Sequence, residues 1–234
     1  MHVLIVLAHH EPRSFNAALT NTASKSLQDA GHSVTISDLH AMQWDPISDR
    51  RNFTTVADGA YLKQQREEMH ATEHNGFSED VRAEMEKLEK ADALILQFPL
   101  WWFSVPAIMK GWVDRVFAMG RVYGGGKWYD NGVFAGKRAM CSLTTGGPPS
   151  MYAPDGLNGD MDMILFPINH GILRFTGFDV LPPQITWGPS RMTPEARQAD
   201  LDAMAARVAG MWDETPIEYP SLAEFDEQFR RRPS

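Results

Sequence analysis

The stretch that decides the fold is ADALILQFPLWWFSVPAIMKGWVDRVF, residues 91–117. It begins with an apolar run that is too continuous to leave one side in water, which is typical of a parallel strand covered on both faces. Pro99 ends this strand, and Pro106 suits the first turn of a helix whose apolar residues recur at helical spacing. The stretch therefore predicts a strand, a short stiff loop and a helix, which is the repeating unit of an α/β sheet.

The same unit recurs along the whole chain. Strands are predicted at 3–7, 33–39, 91–98, 138–145 and 178–187, and helices at 14–31, 78–91, 105–120, 159–177 and 193–212. Because crossovers between parallel strands are right-handed, five such units predict a doubly wound sheet in the order 2-1-3-4-5 with helices on both faces. We expect a single domain, residues 1–234, with a short C-terminal tail over about 213–234.

Composition excludes several classes of partner. The net charge is -8 and the only basic run is RRR near the C-terminus, so no nucleic-acid partner is expected. No apolar run approaches the roughly 20 residues that cross a bilayer, so no integral membrane segment is expected. Cys141 is the single cysteine, and the first residues lack the basic region of a secretion signal. These features predict a cytoplasmic protein.

The predicted sheet directs attention to its ligand-binding edge. Such sheets bind ligands at the carboxyl ends of the strands, where strands 1 and 3 diverge. The loop over 8–19 follows strand 1 and enters a helix with Ser14 as the candidate N-cap, and a helix N-terminus favours phosphate. His9, Ser14 and Asn16 could add donors. Since no glycine-rich fingerprint is present, an ordinary cap at Ser14 and a loop role for His9 stay open.

Two further loops reach the same edge. Trp101, Trp102 and Phe103 follow strand 3, and three consecutive rings cannot all point inward, although burial is the common fate of tryptophan. At least one ring should therefore face a pocket or a partner. The loop over 144–160 begins with two glycines that let a ligand approach the backbone. A planar, partly polar ligand with a phosphate tail fits all three loops, and flavin belongs to this class.

Several motifs resemble the NAD(P)H:quinone acceptor oxidoreductases of the DT-diaphorase type. They are LIVLAHHEPRSFN (4–16), LQFPLWWFSVPAIMKGWVDRVF (96–117), YDNGVFAGKRAMCSLTTGG (129–147) and ILFPINHGILRFTGF (164–178). The similarity runs in register from about residue 2 to residue 219. It implies a flavodoxin-like homodimer with FAD, NADH or NADPH as hydride donor, and two-electron reduction of quinones. The family works by a ping-pong route through one shared pocket.

The resemblance also implies roles for individual residues. Those matching the family's cofactor site are His9, Ser14, Phe15, Asn16, Pro99, Leu100, Trp102, Phe103, Asp114, Thr144, Thr145, Gly146, Gly147, Tyr152 and Arg197. Those matching the substrate site are Trp102, Phe103, Tyr123 and Gly146. Tyr152 and Asn158 match the catalytic pair, in which the tyrosine hydroxyl can donate to the N1 and O2 edge of the flavin as negative charge develops there. Phe175 is similar to a pocket wall position, and a helical core role is the simpler interpretation.

Departures from the family pattern bear on mechanism. The better-known branch has a histidine where this chain has Asn158, which cannot titrate, and an ordinary turn residue before glycine is the alternative interpretation of Asn158. A second branch, which favours smaller dihydronicotinamides, binds a metal through two histidines one helical turn apart. His170 matches one, but Arg174 replaces the other, so no metal is predicted. Gly125 replaces a tyrosine of the family, which predicts a roomier or more mobile acceptor pocket.

Two other functions remain open from the sequence. Some bacterial relatives are ancillary regulatory subunits that dock on potassium-efflux transporters, and this chain could be such a flavoprotein. A one-electron flavodoxin carrier is less favoured, because carriers are small and lack the insertion over 55–80. That insertion has enough chain to wrap an adenine.

Overall fold

The computed structural model describes residues 1–233, which form a parallel sheet between two layers of helices. The strands are β1 (His2–Leu7), β2 (Ser33–Asp38), β3 (Ala93–Pro99), β4 (Arg138–Thr145), β5 (Asp179–Val180) and β6 (Gln184–Trp187). The helices are α1 (Phe15–Asp29), α2 (Gln64–His74), α3 (Glu79–Lys90), α4 (Ala107–Val116), α5 (Met161–Ile168) and α6 (Pro194–Gly210). The order β2-β1-β3-β4-β5 is as predicted, and β6 also pairs with β4.

The central strands divide the core into two clusters, because successive side chains point to opposite faces. On β3, Leu94, Leu96 and Phe98 pack beneath α3 and α4, while Ala93 and Ile95 pack beneath α1 and α6. All seven β3 residues are buried. The continuous apolar run in the sequence is therefore explained by burial of both faces, and the loops at the carboxyl ends of the strands stay free to build a site.

The predicted fifth strand is two short strands. Asp179–Val180 and Gln184–Trp187 both pair in parallel with β4, and Pro182 and Pro183 lie between them. Proline has no N–H to donate to a ladder, so consecutive prolines interrupt pairing. The second short strand resumes the ladder and brings the segment after it, from Gly188 onward, to the carboxyl edge of β4.

The predicted helix over 159–177 also changes form along its length. It is α-helical to Ile168, includes Pro167, and continues as a π-helical turn over Asn169–Arg174. Proline inside a helix removes a hydrogen bond and crowds the preceding turn, and wider π-helical turns accommodate such interruptions. Between residues 1 and 233, no helix is both long and apolar enough to cross a membrane.

The helix α2 lies within the insertion and was not predicted from the sequence. It buries two carboxylates rather than an apolar stripe. Glu67 accepts hydrogen bonds from the N–H groups of Ala57 and Asp58 at 2.7 and 2.9 Å, and Glu68 accepts one from the N–H of Met119 at 2.7 Å. Helical periodicity of apolar residues is the usual sequence signal, and a helix held by buried polar contacts does not carry it.

Candidate active site

A cavity of about 660 Å³ opens at the carboxyl ends of β1, β3 and β4. The predicted site residues that line it are His9, Ser14, Phe15, Asn16, Pro99, Leu100, Thr144, Thr145, Gly146 and Arg197. It is also lined by Trp101, one of the three rings of which at least one was expected to face a pocket or a partner, and by four residues that no motif identified, namely Arg13, Ala18, Pro189 and Ser190. The three loops that the topology predicted to converge do so around this cavity.

One wall of the cavity is the N-terminus of α1. Ser14 is its N-cap and accepts a hydrogen bond from the N–H of Ala17 at 3.2 Å. Phe15 and Asn16 are the first two helical residues, whose N–H groups have no acceptor within a helix. Arg13 and Arg197 line the same cavity, and the exposed Arg13 guanidinium also pairs with Glu11 at 3.2 Å. Free N–H groups and two guanidinium groups make this wall suited to an anion such as a phosphate.

His9 presents a neutral imidazole to this wall. Burial, and then the neighbouring His10, hold the pKa of His9 below its ordinary value. The two rings stack with their centroids 4.8 Å apart. The N–H of Glu11 donates to Nδ1 of His9 at 3.0 Å, so that nitrogen accepts and the ring proton is assigned to Nε2. His9 therefore can donate one hydrogen bond toward the cavity.

The cavity floor is a buried polar network. Asn16 donates through Nδ2 to Oγ1 of Thr144 at 3.0 Å and accepts through Oδ1 from Nε2 of Gln97 at 2.9 Å. All three residues are buried. This network ties α1 to β3 and β4, so Asn16 has a structural role besides lining the cavity. Gln97 was not predicted, although a glutamine inside an otherwise apolar strand is an unusual feature that could have identified it.

The aromatic loop is a tight hairpin. Trp101 and Ser104 exchange main-chain hydrogen bonds at 3.1 and 3.0 Å, and the turn between them is Trp102 and Phe103. Both turn residues have left-handed backbone angles, with φ of 50° and 60°. Such angles cost about 1–2 kcal/mol per residue with a side chain, and backbone strain of this kind clusters at functional sites.

The hairpin divides its aromatic rings between two environments. Trp101 lines the cavity, whereas Trp102 and Phe103 do not, and the Trp102 side chain is 96% exposed. Within residues 1–233, the N–H groups of Trp102 and Phe103 donate no hydrogen bond. They remain available to a polar ring edge or to another chain.

The two glycines after β4 have different reasons to be glycine. A Cβ built on Gly146 would meet nothing within 4 Å, because Gly146 borders the cavity. A Cβ on Gly147 would lie 2.8 Å from Sδ of Met151 and 3.4 Å from the ring of Tyr152. Gly146 thus leaves open space for a ligand, and Gly147 lets the segment that carries Tyr152 pack closely.

Tyr152 and Asn158 lie beside the cavity wall and do not line the cavity itself. The Tyr152 ring packs on Trp187, with centroids 5.4 Å apart. The N–H of Asn158 donates to the carbonyl of Met151 at 2.8 Å, which closes the loop between them. In the described part of the chain, no hydrogen bond joins the Asn158 side chain to Tyr152.

The remaining predicted residues do not reach this cavity within one chain. Asp114 lies on α4 and pairs with Lys110 at 2.6 Å. Tyr123 packs its ring against Phe175, which is half-buried, at 5.9 Å. Trp102, Phe103 and Gly147 also lie outside the lining. One chain therefore assembles the anion wall, the floor and one side of the aromatic loop.

The position that matches a metal ligand is occupied by an aromatic cluster. His170 stacks on Phe166 at 4.6 Å and contacts the ring of Tyr219 at 5.3 Å. Burial, and then the charge of Arg174, lower the pKa of His170. Among residues 1–233, no three His, Cys, Asp or Glu side chains are arranged to hold a metal ion. The absence of a metal stays a prediction.

The cavity fits the flavin nucleotide that the fold family implies. The helix N-terminus and the arginines of the anion wall suit its diphosphate. The open face at Gly146, beside the stiff aromatic hairpin, suits its flat ring. When bound, a flavin supplies the hydride chemistry that amino-acid side chains lack. The residues present can hold its phosphates and border its ring.

Comparisons with known proteins agree with this architecture. The family model for the flavodoxin-like fold matches residues 1–210. The chain is 44% identical over 228 residues to the NAD(P)H dehydrogenase [quinone] 1 of Cavia porcellus, covering 97% of this chain and 83% of the relative. It is 43% identical over 216 residues to the ribosyldihydronicotinamide dehydrogenase [quinone] of Pongo abelii, covering 92% and 94%.

A solved structure extends the match to three dimensions. The crystal structure of a Klebsiella pneumoniae protein assigned as a quinone reductase superposes with a TM-score of 0.96 at 41% identity, covering 100% of this chain and 94% of that one. The chain therefore belongs to the flavodoxin-like family that includes the quinone-linked NAD(P)H dehydrogenases. The resemblance seen in the sequence motifs is confirmed.

Proposed function

We propose that this protein is an FAD-dependent NAD(P)H:quinone oxidoreductase that works in the cytoplasm. When bound, the flavin would supply two-electron chemistry by a ping-pong route: NADH, NADPH or a smaller dihydronicotinamide would give a hydride, and a quinone or related acceptor would receive a hydride and a proton in the same pocket. The observation that carries the proposal is the cavity in which the α1 N-terminus, Arg197 and the open Gly146 face meet. Relatives named as quinone-linked dehydrogenases support it.

Each wall of the cavity has a role in this proposal. The α1 N-terminus, Ser14 and Arg197 hold the diphosphate, while His9 donates from Nε2. Thr144 and the Gly146 backbone border the ring. The Tyr152 hydroxyl acts as a donor where negative charge develops during reduction, because a donor aimed at that charge lowers the barrier. As the family resemblance implies, Asn158 forms the catalytic pair with Tyr152, and Asp114 belongs to the cofactor site.

The protein is proposed to act as a homodimer with two equivalent sites. Trp102 is almost fully exposed and Phe103 is half-exposed at the edge of the cavity, and contiguous exposed aromatic rings are typical of an interface. Tyr123 lies outside the cavity of its own chain. The family resemblance implies that a second copy, related by twofold symmetry, would bring Tyr123 to the open side of the pocket.

The decisive experiment identifies the cofactor and the reaction separately. The cofactor is released from purified protein by denaturation and assigned by absorption spectrum and mass, and we expect FAD, one per subunit, without a covalent link. The isolated protein is then supplied with NADH, NADPH or N-ribosyldihydronicotinamide and with menadione. Release of FMN alone would contradict the FAD assignment, and lack of turnover with every donor would contradict the reductase.

The transporter alternative makes a different prediction in the same preparation. A regulatory subunit should copurify with an integral membrane protein and should bind flavin without rapid turnover. Steady donor oxidation by the protein alone would favour the reductase. A stable complex with a membrane protein and no turnover would favour the alternative.

A further inference from the structure

Beneath the cavity floor, four buried oxygen atoms have no hydrogen-bond partner in the described part of the chain. They are Oγ1 of Thr20, Oε1 of Gln97, Oγ of Ser142 and Oγ1 of Thr186. Thr20 is 2% exposed and the other three residues are 0% exposed. Buried polar atoms are nearly always paired, with protein or with ordered water, because an unpaired one loses its interactions with solvent.

Three of the four atoms lie on one face of the sheet. Gln97 and Ser142 are register partners on β3 and β4, and Thr186 is the register partner of Thr144. This face packs beneath α1 and α6. Ile95 and Met140 lie two positions before Gln97 and Ser142, so they point to the same face, and both belong to the core cluster under these helices. The apolar side chains around them cannot satisfy their hydrogen bonds.

The fourth atom, Oγ1 of Thr20, belongs to helix α1, which covers this part of the sheet. Thr20 follows Asn16 by one turn of α1, and Asn16 reaches both Thr144 and Gln97. A helical turn rises about 5.4 Å and two strand residues span about 6.6 Å, so Thr20 lies over the residue two before Thr144. That residue is Ser142. Because the same face of α1 packs over β3 and β4, the unpaired oxygen of Thr20 and those of Gln97 and Ser142 lie on facing surfaces of the helix and the sheet.

We propose that internal water molecules bind at Gln97, Ser142 and Thr20, with Thr186 at the edge, and that they anchor a one-directional hydrogen-bond chain ending at the Thr144 hydroxyl in the cavity. Internal waters typically make about three hydrogen bonds to otherwise unsatisfied buried groups. Oε1 of Gln97, Oγ of Ser142 and Oγ1 of Thr20 supply three such partners.

The direction of the chain follows from the two observed bonds. Gln97 donates to Asn16, and Asn16 donates to Oγ1 of Thr144. Because Oγ1 of Thr144 accepts here, its own proton is free for an acceptor in the cavity. At the other end Oε1 of Gln97 can only accept, so a water must donate to it. Bonds aligned in this way polarise one another, which strengthens the last donor.

The last link rests on the proposed function. If a flavin ring borders Thr144, the hydroxyl donates to it, and the donation is stronger for the reduced ring, which carries more negative charge. Gln97 and Ser142 then act as positioning residues, since they do not line the cavity. The water site itself requires no cofactor.

A crystal structure at about 1 Å resolution tests the water site in protein with or without cofactor. We expect ordered water within hydrogen-bond distance of both Oε1 of Gln97 and Oγ of Ser142, with the Gln97 amide nitrogen toward Asn16. A dry space would overturn the site. Reversed amides in Gln97 and Asn16 would overturn the direction of the chain, because Thr144 would then donate to Asn16. Neither outcome bears on whether the protein reduces quinones.

Ser142→Ala tests the functional link, with Thr176→Val as a matched control. Thr176 is equally buried, but its hydroxyl bonds only to carbonyls of its own turn. Both variants should lose thermal stability. Only Ser142→Ala should lower the affinity for reduced relative to oxidised cofactor, by about three- to tenfold, which is the range for one lost hydrogen bond. The redox potential of the bound cofactor measures this change. An unchanged potential in Ser142→Ala with its waters absent would refute the link.

Discussion

Trp101 and Ser104 exchange main-chain hydrogen bonds at 3.1 and 3.0 Å, and these two bonds hold Trp102 and Phe103 in left-handed conformations at the tip of a hairpin. Glycine would occupy both positions without strain. Aromatic residues there carry a backbone strain that glycine would avoid, and strain of this kind clusters at functional sites.

The hairpin gives the first prediction. Trp102→Gly should relieve about 1 kcal/mol of backbone strain and should remove the most exposed ring of the chain. We expect the variant to remain folded and to sediment as a monomer at concentrations where the parent protein forms the proposed dimer. Ile36→Ala, which trims an exposed residue on β2, is the control and should stay dimeric. A dimeric Trp102→Gly protein would show that the ring does not support association.

The Tyr152 hydroxyl gives a prediction about hydride transfer. Tyr152→Phe keeps the ring against Trp187 but removes the donor, so we expect cofactor reduction to slow by roughly tenfold or more, as for a lost oxyanion donor. Rapid-mixing measurement of flavin bleaching by the preferred donor reports this step. Reduction at the parental rate would make the hydroxyl a bystander.

A companion variant tests the position of Asn158. Asparagine cannot titrate, so the parent should show no pH step near neutrality from this residue. Asn158→His introduces an imidazole that can exchange a proton with Tyr152, and we expect a new pH dependence of cofactor reduction between about pH 6 and 8. An unchanged profile would mean that the two residues do not communicate, which agrees with the absence of a hydrogen bond between their side chains in the described residues.

His9 links cofactor binding to pH. Its pKa is held below the ordinary value by burial and His10, so it is neutral in the empty site at pH 7. A bound diphosphate would raise that pKa, and a ligand that raises a pKa binds more tightly as pH falls. We expect proton uptake on binding, with the affinity increasing from pH 8 toward pH 6. Calorimetry in buffers of different ionisation enthalpy measures the uptake.

Matched variants isolate the contribution of His9 to that uptake. His9→Gln should abolish most of it. His32→Gln should not, because His32 bonds to Trp212 at 3.0 Å and does not line the cavity.

The depressed pKa of His9 also has a consequence for the stability of the empty protein, because the unfolded chain takes up the His9 proton more readily than the folded one. Stability should therefore decrease as pH falls below about 6.5, and less so in His9→Gln.

Asp130 connects the tail to the π-helical turn. It pairs with Arg174 and accepts a hydrogen bond from the N–H of Leu222 at 2.5 Å. Asp130→Asn should cost no more than about 1 kcal/mol, since the pair is partly exposed, but should release the tail. We expect faster amide hydrogen exchange over 219–224. Asp213→Asn is the control, and equal exchange in both variants would show that Asp130 does not hold the tail.

Much of the fold could be predicted because its signals are local. Buried parallel strands require long apolar runs, and the run over 93–98 needs no knowledge of its neighbours to be recognised. The prolines at 182 and 183 are equally visible, yet their effect depends on a partner strand that the sequence does not reveal. Helix α2 escaped prediction because its stability comes from carboxylates bonded to distant main-chain N–H groups.

The sequence by itself determined the strand order, the edge at which the site lies and the helix N-terminus in its anion wall, since hydrophobic periodicity, crossover handedness and helix capping act over short stretches of chain. Only the tertiary structure decided which side chains meet. It separated Trp101 from Trp102 through a hairpin of strained residues, and it made Asn16 a bridge from α1 to Thr144, which is 128 positions away along the chain. Such contacts depend on how helices pack over strands, and sequence spacing carries no measure of those distances.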